Sequence, residues 1–186
     1  MNLRHEIVSL QNLKDLPTFR LFPCSCQYCL YWESTDDIDE KVSKERAQQL
    51  KSDWFKNVSK EFGDCGVIAY LDNESVGYAQ YALPKFFPRV RQYASGPPSE
   101  DSVFLACLYI PKRELRGIGV GKYLLNIVLS NLQKRGYSAI ETFARKDSEN
   151  NPTGPLEFYL KDGFFVKRER DEFPLVRKEF GTVIPK

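Results

Sequence analysis

The feature of this chain that most constrains its fold is a glycine-dense turn between a predicted strand and a predicted helix. Residues 116 to 122 read Arg-Gly-Ile-Gly-Val-Gly-Lys, after the apolar run Val103 to Ile110 and before a segment of helical period that begins at Val120. Glycine lets the backbone approach an anion closely, and the free N–H groups and positive dipole end of a helix favour negative charge. The sequence therefore predicts a phosphate-binding turn.

Three familiar glycine motifs do not fit this turn. A P-loop would need glycine at Arg116 and Ser or Thr at Tyr123. The dinucleotide fingerprint, started at Gly117, would need glycine at Lys122, and it also fails when it is started two residues later. The glycine loop of protein kinases fails with it. These spacings exclude the ATP and dinucleotide interpretations of the turn.

The spacing that fits is R-x-x-G-x-G, with Arg116, Gly119 and Gly121 at the fixed positions. It resembles the pyrophosphate-binding motif of the GNAT acyltransferase family, whose ligand is acetyl-CoA. A second segment, Pro155 to Phe164, resembles the other family signature, a short helix with Phe/Leu-Tyr-x-Lys that is closed by Gly-Phe. The resemblance covers roughly residues 65 to 180 and implies an acetyl-CoA-dependent N-acetyltransferase with the three-layer α/β GNAT fold, a mixed sheet flanked by helices.

The resemblance also implies roles for particular residues. Backbone amides within Cys107 to Ile110, with Leu108 and Ile110 favoured, would bind the acetyl carbonyl and the pantetheine arm, and Tyr159 would be the general acid. A phenol pKa of about 10 is close enough to a thiol pKa of about 8.5 for proton delivery. The alternative for Tyr159 is an aromatic on the buried face of a short helix. The pyrophosphate would contact the turn residues Arg116, Gly117, Ile118, Gly119, Val120, Gly121 and Lys122.

Composition is compatible with one catalytic domain that spans residues 1–186. The 42% hydrophobic content can fill a sizeable core, and the net charge of +2 is too small to indicate nucleic acid or an anionic membrane. No segment reaches transmembrane length and the N-terminus lacks an apolar signal region, so a cytoplasmic protein is expected. The expected partner is an amine of a small molecule or peptide that attacks acetyl-CoA directly in a ternary complex. A homodimer through C-terminal edge strands is possible.

Hydrophobic periodicity predicts the elements around these motifs. A first strand is predicted at Glu6 to Leu10 and a helix from about Glu40 to Phe62. The apolar stripe of that helix is Leu50, Trp54, Val58 and Phe62, with Lys and Glu on the other side. The remaining strands are predicted at residues 67–71, 76–83, 103–110, 138–144, 164–169 and 175–180, and a second long helix at 120–135.

A cysteine- and aromatic-rich segment at about residues 20–40 is expected on the acceptor side of the cleft. It carries Cys24, Cys26 and Cys29, which would need a fourth ligand from Cys65, Cys107 or His5 to hold zinc. Reduced thiols without a metal are the favoured interpretation. A metal or thiol protein and a non-catalytic acyl-CoA sensor of the same fold remain the alternative functions.

The general base cannot be chosen from the sequence. Three carboxylates are candidates, namely Glu33, Asp101 and Glu141, and no spacing distinguishes them. Acidic residues after Glu33 could attract a cationic amine, although an acidic helix N-terminus would explain them equally well.

Overall fold

Seven strands form one mixed sheet in the part of the chain that the structure, a computed structural model, describes, namely residues 2–18, 25–36, 42–146 and 153–181. The strand order is β1-β2-β3-β4-β5-β7-β6, and only β4 and β5 are parallel neighbours. The elements are β1 (Leu3–Ile7), α1 (Lys44–Glu61), β2 (Gly66–Leu71), β3 (Glu74–Ala82), β4 (Ser102–Tyr109), α2 (Val120–Lys134), β5 (Ala139–Phe143), α3 (Leu156–Lys161), β6 (Phe165–Arg168) and β7 (Leu175–Glu179). No helix in these ranges has the length and apolar character needed to cross a membrane.

The helices cover both faces of the sheet. Gln80 of β3 bonds Lys51 of α1, whereas a Cβ at Gly77 would come within 2.9 Å of Leu124 of α2. Because side chains alternate along a strand, α1 and α2 lie on opposite faces. On the α2 side, α3 lies beside the first turn of that helix. The three-layer α/β fold predicted from the sequence is confirmed.

The first strand lies earlier in the chain than predicted. Strand β1 pairs antiparallel with β2 from Leu3 opposite Leu71 to Ile7 opposite Val67. The strand ends where the chain turns back at Asn12, whose side-chain Nδ2 donates to the Ile7 carbonyl at 2.9 Å. The prediction of a strand from Glu6 to Leu10 was wrong because weak alternation does not fix where pairing stops.

Helix α1 also differs from its prediction. It begins at Lys44 because the Ser43 hydroxyl caps it, accepting the Arg46 N–H at 3.2 Å. Its predicted stripe was off by one residue at two positions, since Leu50 and Trp54 are only partly buried. The residues of the helix that the structure buries are Ala47, Lys51, Phe55 and Val58. A lysine therefore lies on the face that was expected to be apolar.

Candidate functional site

Strands β4 and β5 separate after three paired residues. The parallel pairing runs from Ser102 opposite Ala139 to Phe104 opposite Glu141 and goes no further. Beyond it, the Thr142 hydroxyl on β5 reaches across and donates to the Leu105 carbonyl of β4 at 2.7 Å. Splayed parallel strands leave backbone groups of β4 without a strand partner, so this gap is a place where a ligand can bind the backbone.

A bulge in β4 sets which amides face the gap. Gln80 pairs with Cys107 and Tyr81 with Leu105, so one extra residue lies in β4 between those two pairs. The Tyr81 N–H donates to the Cys65 carbonyl on the β2 side at 2.9 Å. Backbone groups alternate in direction along a strand, so the backbone N–H and C=O of the neighbouring Gln80 point towards β4, and those of its partner Cys107 point towards β3.

Alternation from this point places the two predicted amides. Leu108 follows Cys107, so its N–H points away from β3 and into the gap, and Ile110 two residues later points the same way. The sequence chose these two positions from the family resemblance, and the backbone geometry suits the role proposed for them.

The glycine turn lies at the end of this gap and is open. Gly117 has φ +78° and Gly119, the N-cap of α2, has φ +102°, a region that favours glycine. A Cβ at either glycine would have no protein atom within 4 Å. The first N–H groups of α2 have no partner within the helix and no side chain caps them. The turn therefore has the shape and donors of an anion site, and an incoming phosphate would meet backbone rather than side chains.

Arg116 links the turn to β4. Its Nε donates to the Ile110 carbonyl at 3.0 Å, and the side chain is partly buried. Within the described ranges, no hydrogen bond involves its two terminal amino groups. One edge of the guanidinium thus fixes the turn, and the other donors can meet a phosphate.

The remaining turn residues differ in what they can offer. The Lys122 ammonium pairs with Asp162 at the end of α3, so this predicted cofactor-binding side chain joins two helices. Its backbone N–H remains among the first donors of α2. Val120 is buried in the core, whereas Ile118 is half exposed. A Cβ at Gly121 would lie 3.9 Å from the Phe158 ring of α3.

Tyr159 of α3 is completely buried beside the gap. Its hydroxyl donates to the Thr153 carbonyl, and its ring packs edge-on against Phe158 and Phe164. Burial raises the pKa of this phenol well above its usual value. The next residue on this helix, Leu160, is 42% exposed. The acid role of Tyr159 remains a prediction.

A first buried charge cluster lies between α1, the segment of residues 25–36 and β3, and is here named the Lys51 cluster: Glu33, Lys51, Gln80 and Tyr78. The Lys51 ammonium donates to Glu33, to the Gln80 side-chain oxygen at 2.9 Å and to the Cys29 carbonyl at 2.9 Å. Gln80 donates to Glu33 at 2.7 Å and accepts the Tyr78 hydroxyl at 2.6 Å. Burial is the largest single influence and would lower the pKa of Lys51, but the charge and hydrogen bond of Glu33 together with the neighbouring Cys29 and Cys107 thiols outweigh it, and the pKa is raised.

A second cluster joins β5, β6 and β7 and is named the Arg177 cluster: Arg177, Glu141, Asp101, Glu179 and Lys167. Glu141 is fully buried and accepts from Arg177 at 2.7 Å, from Lys167 at 2.6 Å and from the Ser99 N–H at 2.9 Å. Arg177 also holds both Asp101 oxygens, at 3.0 and 2.8 Å. Burial would raise the pKa of Glu141, but these hydrogen bonds prevail and lower it.

The cysteines do not form a metal centre among the described residues. No group of three or more His, Cys, Asp or Glu side chains there could hold a metal ion. Cys24 lies outside the described ranges. Cys26 and Cys65 are buried thiols whose pKa burial raises to about 12, which keeps them protonated.

A cavity of about 580 Å³ opens on the sheet beside the β2–β3 hairpin. Its walls include Asp15, Tyr70, Glu74 and Lys112, the last of which follows β4 by three residues. The Tyr70 hydroxyl donates to Asp15 at 3.2 Å, and Lys112 pairs with Glu74 at 2.5 Å. The cavity is polar and is separate from the glycine turn.

Sequence reasoning missed the Lys51 cluster. The available signal was the lysine at an otherwise apolar position in the series Ala47, Lys51, Phe55 and Val58. Gln80 gave no comparable signal, because a single glutamine in a strand is common on a solvated face. Only the packing of α1 and residues 25–36 onto β3 shows that these polar groups meet.

Solved structures of similar fold come from distant relatives. PaiA N-acetyltransferase from Thermoplasma acidophilum, solved with coenzyme A, aligns with TM-score 0.61 and 14% identity, covering 97% of this chain and 100% of that one. Arabidopsis thaliana Naa50, solved with the bisubstrate analogue CoA-Ac-MVNAL, aligns with TM-score 0.56 and 18% identity, and the alignment covers 97% of this chain and 100% of Naa50. An acetyltransferase from Thermus thermophilus aligns with TM-score 0.58 and 15% identity, and the alignment covers 97% of this chain and 98% of that one.

Comparison at the sequence level is more specific. No curated protein matches the chain significantly. Residues 27–164, most of the chain, match the sequence model described as the acetyltransferase (GNAT) family. The match includes β4, the glycine turn and α3 up to the Gly-Phe that closes it. The chain therefore belongs to the GNAT acetyltransferase family, enzymes that transfer an acetyl group from acetyl-CoA to an amine.

Proposed function

We propose that the gap between β4 and β5 binds the thioester arm of acetyl-CoA and that the glycine turn binds its pyrophosphate. The observation that carries this proposal is the continuity of the two features, since Arg116 of the turn bonds the carbonyl of Ile110 at the end of the gap. The amides of Leu108 and Ile110, the N–H groups that open α2 and the free edge of Arg116 are the proposed contacts. PaiA was solved with coenzyme A and Naa50 with an analogue that contains CoA, which supports a coenzyme A thioester as the ligand.

The chemistry follows from what each group can donate. Bound acetyl-CoA supplies a thioester carbonyl that an amine can attack. The Leu108 and Ile110 amides would stabilise the negative charge that develops on the carbonyl oxygen. As the C–N bond forms and the C–S bond breaks, Tyr159 would give its proton to the leaving sulfur, and the proton that the amine loses would pass through solvent to restore the hydroxyl. Burial raises the pKa of Tyr159, which keeps the hydroxyl protonated but moves its pKa further from that of a thiol, so the transfer is less nearly balanced than for an ordinary phenol. To give its proton the hydroxyl must leave its bond to the Thr153 carbonyl.

The acceptor is proposed to be an amine of a small molecule or a peptide. Naa50 was solved with an analogue that joins CoA to a peptide, which supports the peptide class. The polar cavity of about 580 Å³ could receive the rest of the acceptor, because Lys112 on its wall follows the end of β4. A single domain over residues 1–186, a cytoplasmic location and a homodimer belong to the same proposal.

A coenzyme A release assay tests the function. Acetyl-CoA is offered with polyamines, aminoglycosides, amino acids and peptides with free N-termini, and acetylated product is identified by mass. Amine-dependent release is expected. Tight binding of coenzyme A without turnover of any of these amines would favour the sensor instead.

The glycine turn can be tested with a matched pair of substitutions. Gly119→Ala should raise the KM for acetyl-CoA on the order of 10-fold, because a Cβ would displace a phosphate from the backbone donors. Gly136→Ala is the control, since Gly136 ends α2 at φ +80° and a Cβ there also meets no protein atom within 4 Å. Equal effects of the two substitutions would show backbone strain alone and contradict the phosphate site.

Tyr159→Phe tests the proposed acid. Turnover should fall on the order of 10²-fold or more, the usual contribution of a positioned proton donor, while the Kd for acetyl-CoA stays unchanged. Tyr81→Phe is the control, because among the described residues the buried Tyr81 hydroxyl has no hydrogen-bond partner. Unchanged turnover in Tyr159→Phe would remove this residue from the mechanism.

A further inference from the structure

The Lys51 cluster contains an ion pair that stability alone does not explain. The side chains of Lys51 and Glu33 are each only 4% exposed. Removing two charges from water costs several kcal/mol per ion, and well-packed neutral residues are often as stable. Stability alone therefore gives no reason for this pair, and its hydrogen bonds show what else the carboxylate can do.

The hydrogen bonds of the pair leave one atom unused. The three N–H donors of Lys51 are satisfied by Glu33, Gln80 and the Cys29 carbonyl. Glu33 receives both Lys51 and Gln80 on the same oxygen, Oε1. No hydrogen bond from the described ranges reaches Glu33 Oε2. A carboxylate held in place by one oxygen keeps its other oxygen available to a further hydrogen-bond donor.

The position of this carboxylate relates it to the reacting strand. Gln80, which bonds Glu33 at 2.7 Å, pairs in register with Cys107 of β4. The next residue, Leu108, directs its amide into the gap proposed for the thioester. Glu33 thus lies one side chain away from the part of β4 where acetyl transfer is proposed, on the segment expected at the acceptor side.

The other candidate carboxylates have no unused oxygen. In the described structure, Glu141 Oε1 accepts hydrogen bonds from Lys167 and Arg177, and Oε2 accepts one from the Ser99 N–H. Both oxygens of Asp101 are held by Arg177. Among the three carboxylates that the sequence left open, Glu33 alone keeps an available acceptor atom.

We propose that Glu33 recognises the acceptor amine, with Oε2 accepting an amine N–H, and that Lys51 and Gln80 are positioning residues that hold the carboxylate opposite β4. This inference rests on the proposed function, because it names the group that receives the acceptor of that reaction. A hydrogen bond to a charged carboxylate favours a basic primary or secondary amine over a neutral hydroxyl acceptor.

Kinetics provide the first test, with the best amine of the acceptor panel as the probe. Glu33→Gln replaces the free oxygen or its partner by an N–H donor, so kcat/KM for the amine should fall on the order of 10- to 100-fold. The Kd for acetyl-CoA should not change. Glu33→Gln with Lys51→Met should show the same loss although it leaves no unpaired buried charge. Retained amine kinetics in the double variant would overturn the proposal.

The matched control is the exposed ion pair between Lys85 and Glu61. Its side chains are 56% and 55% exposed, and Glu61 lies at the end of the same helix as Lys51. The same substitutions, Glu61→Gln with Lys85→Met, should leave both KM values unchanged. An equal loss there would assign the effect to net charge.

A binding experiment tests Glu33 even if no amine of the panel is acetylated. The sequence has two tryptophans: Trp32 precedes Glu33 in the chain, and the Trp54 ring lies 5.8 Å from the Lys51 ammonium. Titration with n-butylamine should give a saturable change in tryptophan fluorescence in the native chain and none in Glu33→Gln. The same change in both proteins, or none in either, would overturn the assignment. Failure of catalysis with a positive titration would count against the proposed function alone.

Discussion

The Lys51 and Arg177 clusters both place ion pairs on one sheet, but they use their hydrogen bonds differently. In the Arg177 cluster every oxygen of Glu141 and Asp101 is bonded, and two of its carboxylates, Asp101 and Glu179, reach the solvent at 61% and 56% exposure. In the Lys51 cluster both side chains are only 4% exposed, and one oxygen of Glu33 has no hydrogen-bond partner among the described residues. A cluster that only stabilises the fold needs all its polar atoms hydrogen-bonded, whereas a binding site needs an atom that is free to bond a ligand.

The elements that each cluster connects support the same distinction. The Arg177 cluster ties the three neighbouring strands β5, β7 and β6 to residues 99–101, which lead into β4. The Lys51 cluster ties a helix and an irregular segment to β3, opposite the bulge of β4. We therefore expect the first cluster to affect stability and the second to affect the acceptor.

The largest effect on stability is expected from Arg177→Met. It leaves the buried Glu141 with Lys167 as its remaining cation, which should lower the free energy of unfolding by about 3–5 kcal/mol. Urea denaturation measures the change, and the KM for the amine at permissive temperature should stay as it was. A stable variant with a raised amine KM would reverse the two roles.

The Arg177 cluster should also dominate acid unfolding. Bonds from Lys167 and Arg177 overcome burial and hold the pKa of Glu141 below its usual value, and Arg177 lowers the pKa of Asp101. Lowered folded pKa values mean stability that is present above the unfolded pKa and lost as pH falls through the folded pKa. Unfolding free energies measured from about pH 7 to about pH 3 should fall in the native chain and fall less steeply in Arg177→Met.

The Lys51 cluster should show a small effect on stability. Glu33→Gln with Lys51→Met removes both charges, so the free energy of unfolding should stay within about 1 kcal/mol of the native value or rise. Thermal and urea unfolding measure it in the same samples used for kinetics. A loss of unfolding free energy as large as that of Arg177→Met would mean that this cluster also serves mainly to stabilise the fold.

The smallest effect is expected at the surface. Glu61→Gln with Lys85→Met removes an exposed pair and should change stability by less than about 1 kcal/mol, with a still smaller difference at high salt. This variant sets the scale against which the buried clusters are compared. A loss above about 2 kcal/mol would mean that exposure does not separate these pairs.

Local pattern was enough to predict most of the elements. The β2–β3 hairpin, β4 and α2 lie close to their predicted ranges because each combines a clear period with turn residues at its ends. The first strand was displaced because alternation near Glu6 is weak. The α1 stripe was displaced because Lys51 occupies a buried position, and no hydrophobicity pattern assigns a lysine to a core.

The sequence by itself pointed to the family, the cosubstrate and the glycine turn proposed to bind phosphate, because glycines and Arg116 at fixed spacing act through local backbone geometry. Tertiary structure alone decided which groups each carboxylate bonds. Glu33, Lys51 and Gln80 are far apart in the chain and belong to different elements, so their contact depends on how α1 packs on the sheet. The same packing gave Glu141 its cations and left one oxygen of Glu33 without a partner in the described structure. Long-range packing, which brings charges together out of water, is a property that no short motif records.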